Sequence, residues 1–359
     1  METGDEIKTL FKYSKLFSIQ KKIIANIAHR GDFCLCAPTG SGKTLAYLIL
    51  LLEKLSQRVI PKTRAVILAP TPELAEQIHA VTEHVLRNTT KDIKAALLVE
   101  RKQPFSKRSD ILVTTPSLFS ELLEKKKLGK TLRHVVFDEA DFVFERKTFH
   151  FNQILGRLSQ IKHKPVFDIR VQKIFVSASL DGELVRASLQ LHNTLLLTKK
   201  TPPRRLKEFF AVVDEENPDE VLFEILSECH GQTLCFVNTP QETETLHEKL
   251  TTFFPNKSIV CLSENMSFEK RKCSFSKIKN GTAMIAICTD EFSRGIDVPS
   301  IGFVINVTLP TTDRAYTHRV GRAARGLSEG VCYTLIRKDE IESPVVRNRG
   351  NAVLKQPGQ

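Results

Sequence analysis

No two of the eight cysteines form a Cys-x-x-Cys pair, so the sequence offers neither a zinc-finger framework nor a dithiol redox motif. Cys34, Cys36, Cys235 and Cys288 fall instead in apolar, strand-like runs. Scattered thiols of that kind fit a reducing compartment. The ten histidines show no metal-ligand spacing either. No apolar run is long enough to span a bilayer, and the opening METGDEIKTLFKYSKLF lacks the apolar centre of a secretory signal. No short-period repeat is found. Together these absences argue against a zinc module, an exported protein, a membrane protein and a solenoid. They leave the expectation of an intracellular, soluble chain.

What is present is charge and apolar surface in quantity. Lys and Arg number 53 against 41 Asp and Glu, a formal net charge of +12. Such an excess favours a polyanionic partner, nucleic acid first, although a merely soluble basic protein fits the number equally well. Hydrophobic residues make up 41% of 359 positions, enough to bury two cores rather than one.

Short apolar runs alternate with helix-length amphipathic segments. The first series is FCLCA (33–37), AVILA (65–69), AALLV (95–99), ILVTT (111–115), VVFD (135–138) and IFVSA (174–178). A second series follows with LCFVN (234–238), IVCL (259–262), AMIAICT (283–289), FVINV (303–307) and VCYTLI (331–336). Near-continuous apolar strands separated by helices imply parallel sheets covered on both faces. The fold class is therefore α/β, in two lobes. The basic stretch with paired prolines around 201–206 reads as the linker between a lobe at 1–200 and a lobe at 207–340. Residues 341–359 read as a short flexible tail.

One segment, VVFDEADFVF (135–144), sets Asp138, Glu139 and Asp141 among valines and phenylalanines. Unpartnered buried carboxylates are costly. Either the acids surface in a turn where the strand ends, or a cation and a reacting water meet them there. APTGSGKT (37–44) bears on the choice, because it lies between the first strand and the helical LAYLILLLEKL. This strand–loop–helix setting suits a phosphate-binding loop, although a glycine-rich turn of no further consequence has the same outline. Gly40 and Gly42 would let backbone N–H groups approach phosphates, and the helix N-terminus adds its positive end. Lys43 would reach the β and γ phosphates and Thr44 would ligate Mg²⁺. Asp138 would then complete the metal site and Glu139 would deprotonate the attacking water.

Asp138-Glu139-Ala140-Asp141 after that loop resembles the DEAD-box RNA helicases of superfamily 2, and the likeness runs through nearly the whole chain. SIQ (18–20) resembles the family's Q motif, which assigns Gln20 to the adenine edge. Family likeness adds Thr39, Gly40, Ser41 and Gly42 to the ATP site, and Asp297 to the ribose. APTPELAEQ (69–77) and TTPSLF (114–119) resemble motifs Ia and Ib, which implies RNA contacts at Pro70, Thr71, Thr115 and Pro116. SAS (177–179) stands for the family's SAT, so Ser177 and Ser179, with Asp141 and His318, would couple hydrolysis to strand separation. In the second half LCFVNT (234–239) resembles motif IV. CTDEFSRGID (288–297) resembles motif V, which implies RNA contacts at Thr289, Asp290, Arg294 and Gly295, and Arg271 fits an RNA-contacting arginine. YTHRVGRAAR (316–325) resembles motif VI. By spacing, Arg322 and Arg325 could share one helical face, and the resemblance makes them arginine fingers. It also implies two RecA-like lobes with a cleft between them, ATP and Mg²⁺ as cofactors, RNA as partner and a monomer.

The sequence departs from the family at Pro72 and Leu118, where arginines are expected, and at Phe268, where a glutamine is expected. Glu100 and Arg101 stand near the expected paired glycines, and Thr3 near an expected aromatic. Most of these departures concern the grip on RNA. The first expectation is therefore an RNA-stimulated ATPase that separates short duplexes or remodels RNA–protein complexes. A second is an ATP-gated RNA clamp or scaffold that does not unwind, and a third, weaker, is a DNA-directed enzyme. LCFVNT, ETLHEKL and the stretch from SRGIDVPS to GRAAR are similar to nucleolar members serving large-ribosomal-subunit assembly. That likeness implies pre-ribosomal particles as partners and a nuclear, nucleolar location.

Overall fold

Alternation along each strand sends neighbouring side chains to opposite sheet faces, and in this protein both faces are apolar. The computed structural model describes residues 16–38, 40–56, 61–101, 104, 108–125, 128, 131–141, 149–161, 170–178, 193–198, 206–213, 218–293, 301–323, 329–349 and 353–355. The chain divides into two units, Met1–Thr201 and Pro202–Gln359.

The first unit is a seven-stranded sheet in the order β3-β4-β2-β5-β6-β1-β7, every neighbouring pair parallel. Its strands are β1 (Phe33–Cys36), β2 (Ala65–Leu68), β3 (Ala95–Leu98), β4 (Ile111–Thr114), β5 (His134–Phe137), β6 (Gln172–Ser177) and β7 (Leu195–Thr198). Leu35, Ile67, Val113, Val136 and Ile174 face helices α1 (Ser18–Ala25), α2 (Lys43–Leu55) and α3 (Pro72–Arg87). The alternate residues Cys34, Val66, Leu112, Val135 and Phe175 face α4 (Pro116–Glu124) and α5 (Phe149–Gln160). Phe151 of α5 is buried edge-on against Phe137 at 5.5 Å. That position belongs to helix packing.

The second unit repeats the plan, with sheet order β10-β11-β9-β12-β13-β8-β14 and all pairs parallel. Its strands are β8 (Leu206–Val212), β9 (Gln232–Phe236), β10 (Ile259–Leu262), β11 (Ile285–Cys288), β12 (Ile301–Asn306), β13 (Gly330–Ile336) and β14 (Val353–Lys355). Its helices are α6 (Pro218–Glu228), α7 (Pro240–Phe253), α8 (Phe268–Lys279), α9 (Asp290–Ser293), α10 (Asp313–Val320) and α11 (Pro344–Arg347).

Three strands depart from the sequence expectation. β7 is a four-residue strand at the sheet edge, half exposed, so its pattern carries little signal. β8 begins at Leu206, inside the segment read as linker. The segment read as a flexible tail contains α11 and β14 instead, and β14 pairs with β8. Polar contacts hold it there. Asn348 Nδ2 donates to Asp313 Oδ2 at 2.5 Å, and the Arg349 guanidinium lies 4.5 Å from the Tyr316 ring centre.

One buried arginine ties the carboxyl ends of three strands in this unit. Arg319 has no exposed surface. Its guanidinium donates to both oxygens of Asp290 at 2.7 and 2.9 Å, to Thr308 O at 2.9 Å and to Asn238 Oδ1 at 2.7 Å. Breaking such a network leaves buried charge without partners. Arg319→Lys keeps the charge but loses the planar fork, and chemical denaturation is expected to show a loss of about 3 kcal/mol.

At the opposite, amino-terminal edge of the first sheet, Gln172 donates to His29 O at 3.2 Å and Gly31 O at 2.5 Å, and His134 Nδ1 lies 3.1 Å from Gln172 Oε1. Burial, with the Lys54 and Arg133 cations nearby, pushes the His134 imidazole down from 6.5 to about 4. The unfolded chain therefore takes up this proton at a higher pH than the folded one. The contribution is intact above pH 6.5 and is lost as pH falls toward 4. Relative to His134→Gln, the parent is expected to lose on the order of 2 kcal/mol across that window in urea titrations at stepped pH.

Candidate functional site

In the first unit the phosphate-loop candidate bridges β1 and α2. Gly40 and Gly42 have φ of 73° and 80°, a left-handed backbone that favours glycine. At Gly42 a Cβ would also stand 2.4 Å from Gln20 Nε2 and 2.8 Å from Phe17 Cδ2. Gln20 is 2% exposed and joins α1 to the loop. Its Oε1 accepts from Phe17 N at 2.9 Å and its Nε2 donates to Gly42 O at 3.3 Å. Lys43 Nζ donates to Ala37 O at 2.8 Å, curling the ammonium over the loop. The Ser41 hydroxyl is buried without a hydrogen-bond partner among the described residues. Thr39 lies outside those residues.

Parallel strands bring the carboxyl end of β5 to the same sheet edge as this loop. The acids there do not surface in an open turn. Asp138 is 5%, Glu139 8% and Asp141 0% exposed. Asp138 Oδ1 accepts from Glu139 N and Oδ2 from the Tyr47 hydroxyl, both at 2.9 Å. Burial, then the Glu139 carboxylate, raises the Asp138 carboxyl to about 6, against the pull of Lys43 and these hydrogen bonds. Glu139 adopts φ of 46°, a left-handed backbone rare for a residue with a side chain. Its Oε2 is buried with no partner among the described residues. The strained backbone thus carries a buried carboxylate oxygen that no described residue uses. Hard oxygen donors at Asp138 and Thr44, with an unsatisfied carboxylate oxygen beside them, fit a hydrated Mg²⁺.

Several of the remaining assigned residues fall at the carboxyl edges of the two sheets. Ser177 ends β6, and its carbonyl accepts from Ala37 N at 3.0 Å. Pro70 and Thr71 precede α3, where the Thr71 hydroxyl caps Leu74 N at 3.2 Å. Thr115 is the N-cap residue of α4 and Pro116 its first position, but the Thr115 hydroxyl pairs with the Ser117 hydroxyl at 3.3 Å instead of capping a backbone N–H. Leu118, where the family has an arginine, is buried with Phe119 and Leu122 in the core. Pro72 occupies the first position of α3, where no N–H is needed.

In the second unit Thr289 is buried, its hydroxyl without a partner among the described residues. Asp290, assigned to RNA by resemblance, gives both carboxylate oxygens to Arg319. Arg271 donates to Met266 O. His318 and Arg322 are buried. α10 ends at Val320 with Gly321 as C-cap, so Arg322 lies in the turn that follows and not on that helix. Asp297, Arg294, Gly295, Ser179 and Arg325 lie outside the described residues.

Sequence reasoning passed over Tyr47 and Arg319. Tyr47 had a signal, a lone phenol in the aliphatic run of α2. Arg319 had one too, standing between His318 and Arg322, but a buried structural arginine and a phosphate-facing one look alike in a string.

Residues 17–187 match the family model described as DEAD/DEAH box helicase, and residues 217–326 match that of the helicase conserved C-terminal domain. The chain is 31% identical to the ATP-dependent RNA helicase DBP6 of Candida albicans, over 85% of this chain and 55% of that protein. It is 30% identical to the ATP-dependent RNA helicase DDX54 of Mus musculus, over 90% of this chain and 37% of that protein. With the DEAD-box ATP-dependent RNA helicase CshC of Bacillus cereus it shares 28% identity, over 91% and 84%. The chain thus spans only 55% and 37% of the lengths of the first two relatives. Among solved structures, S. cerevisiae Dbp5 bound to RNA and ADP BeF3 aligns with a TM-score of 0.82 at 22% identity, over 97% of this chain and 91% of that one. Mss116p bound to ssRNA and AMP-PNP aligns at 0.84 and 24%, over 99% and 77%. At such identity these structures speak for the two-lobed RecA-like fold alone. The two family models, in their order along the chain and with the motifs above, show that this chain belongs to the DEAD-box helicases.

Proposed function

We propose that the chain is an RNA-stimulated ATPase that uses hydrolysis to separate short RNA duplexes or to remodel RNA–protein complexes. The observation that carries this reading is the strained, buried Glu139 with an uncommitted Oε2, beside Asp138 and at the sheet edge that bears the phosphate loop. Glu139 is the base that takes a proton from the attacking water as it adds to the γ-phosphate. Gly40, Ser41 and Gly42, with the N-terminus of α2, receive the phosphate oxygens. Lys43 leaves the Ala37 carbonyl to pair with them. Asp138 and Thr44 would hold Mg²⁺, which would supply positive charge against the phosphate oxygens. Gln20 and Asp297 are assigned to the nucleoside, and Arg322 and Arg325 to the transition-state charge. Asp141, Ser177, Ser179 and His318 are assigned to coupling.

RNA is proposed to meet the helix N-termini at Pro70–Thr71 and Thr115–Pro116, where backbone N–H groups suit phosphates. Thr289, Arg271, Arg294 and Gly295 are proposed as contacts in the second unit. The narrower sequence likeness supports pre-ribosomal particles as partners and a nucleolar location, with the chain acting as a monomer. The clamp reading is favoured by one observation: Leu118 is turned into the core, so α4 presents no guanidinium there.

Steady-state ATPase activity is expected to rise severalfold with single-stranded RNA and not with DNA of the same sequence. Equal rates with and without RNA would sink the proposal, and hydrolysis without separation of a short tailed duplex would select the clamp. Glu139→Gln is expected to cut turnover by at least about 10²-fold, with fluorescent-nucleotide affinity kept within about threefold. Hydrolysis at the parental rate would remove Glu139 from the base role.

A further inference from the structure

Apart from Thr44, α2 carries a single hydroxyl, that of Tyr47, in the run KTLAYLILLLEKL. Packing alone would be served as well by phenylalanine, and a buried phenol needs a hydrogen-bond partner. Tyr47 has no exposed surface, and its hydroxyl donates to Asp138 Oδ2 at 2.9 Å. Thr44, one turn earlier, adjoins the same hydroxyl. The other oxygen of Asp138 is held from its own chain by Glu139 N at 2.9 Å. Each carboxylate oxygen therefore has one fixed donor, which leaves the side chain no freedom to turn.

We propose that Tyr47 is a positioning residue whose hydroxyl locks the orientation of the Asp138 carboxylate, so that a divalent cation meets it in one preset geometry. This rests on the assignment of Asp138 to the metal made above. The link ties helix to strand: the helix that begins at the phosphate loop also sets the carboxylate at the end of β5. The ring has no exposed surface to offer a nucleotide, so the expected effect is on metal binding and turnover and not on nucleotide affinity.

The test uses the full chain with ADP and Mn²⁺, free Mn²⁺ being read by electron paramagnetic resonance, alongside ATP hydrolysis and thermal melting. Tyr47→Phe is expected to weaken Mn²⁺ binding about tenfold. It is also expected to lower kcat by about tenfold, with the KM for ATP within about twofold and melting close to the parent. Asp138→Asn serves as reference and should lose more, with Tyr47→Phe adding nothing further in the double variant. Unchanged Mn²⁺ affinity in Tyr47→Phe, with Asp138→Asn impaired, overturns the proposal while leaving Asp138 in place. Unchanged affinity in both variants overturns the metal assignment and this inference with it. Should Tyr47→Phe fail to fold, 3-fluorotyrosine at position 47 keeps ring and hydrogen bond with a stronger donor. Its Mn²⁺ affinity should shift at least about twofold, and no shift overturns the proposal.

Discussion

Burying a carboxylate is the constraint around which the first unit is arranged. A charge taken from water costs several kcal/mol unless donors or a cation receive it. Asp138 meets that condition from within, through Tyr47 on one oxygen and the Glu139 backbone on the other. Glu139 meets it only in part, since one oxygen is buried without a partner among the described residues. The left-handed backbone at Glu139 adds to the cost. A chain keeps such an arrangement where something outside the chain completes it. Water and metal chemistry are what an acceptor of that kind can use.

The second unit solves the same problem in the opposite way. Asp290 sits at the carboxyl end of β11, and Arg319 satisfies both of its oxygens while also reaching Thr308 and Asn238. Each oxygen of that carboxylate has a donor within the chain. The contrast separates two uses of a charged loop on one fold. Where the ion pair closes inside the chain the loop is held, and where a carboxylate oxygen stays open the loop can react. Asp290 was assigned to RNA by its motif, and the geometry gives its side chain to the scaffold.

Periodicity made the parallel sheets legible, because strands buried on both faces read as continuous apolar runs. Eleven of the fourteen strands among the described residues were readable in that way, but β7, β8 and β14 were not. β7 and β14 are short and stand at sheet edges, and β8 follows a basic, proline-paired stretch that looks like linker. The loop lysine and the acidic strand end were readable because each chemistry demands its residue types at fixed spacing. Tyr47 and Arg319 were not, since their roles depend on partners 91 and 29 residues away in the chain. The end of α10 at Val320 was also out of reach, because a basic helix and a basic turn have the same composition.

The departures from the family pattern have local explanations that limit how the chain can hold a polymer. Pro72 fills a helix start that needs no N–H, and Leu118 contributes its side chain to a core that includes Phe119 and Leu122. An arginine at position 118 would have to displace that packing or bury its own charge, so the grip it provides elsewhere cannot be restored by a simple exchange. What remains at α3 and α4 is the first turn of each helix, with its unpaired N–H groups and positive dipole end. Such contacts recognise phosphate and not base, and each is worth less than a guanidinium fork. Under the proposed function, the hydrolytic centre would be more fully specified by side chains than the hold on nucleic acid at these two helices, and RNA affinity is where a partner would then act.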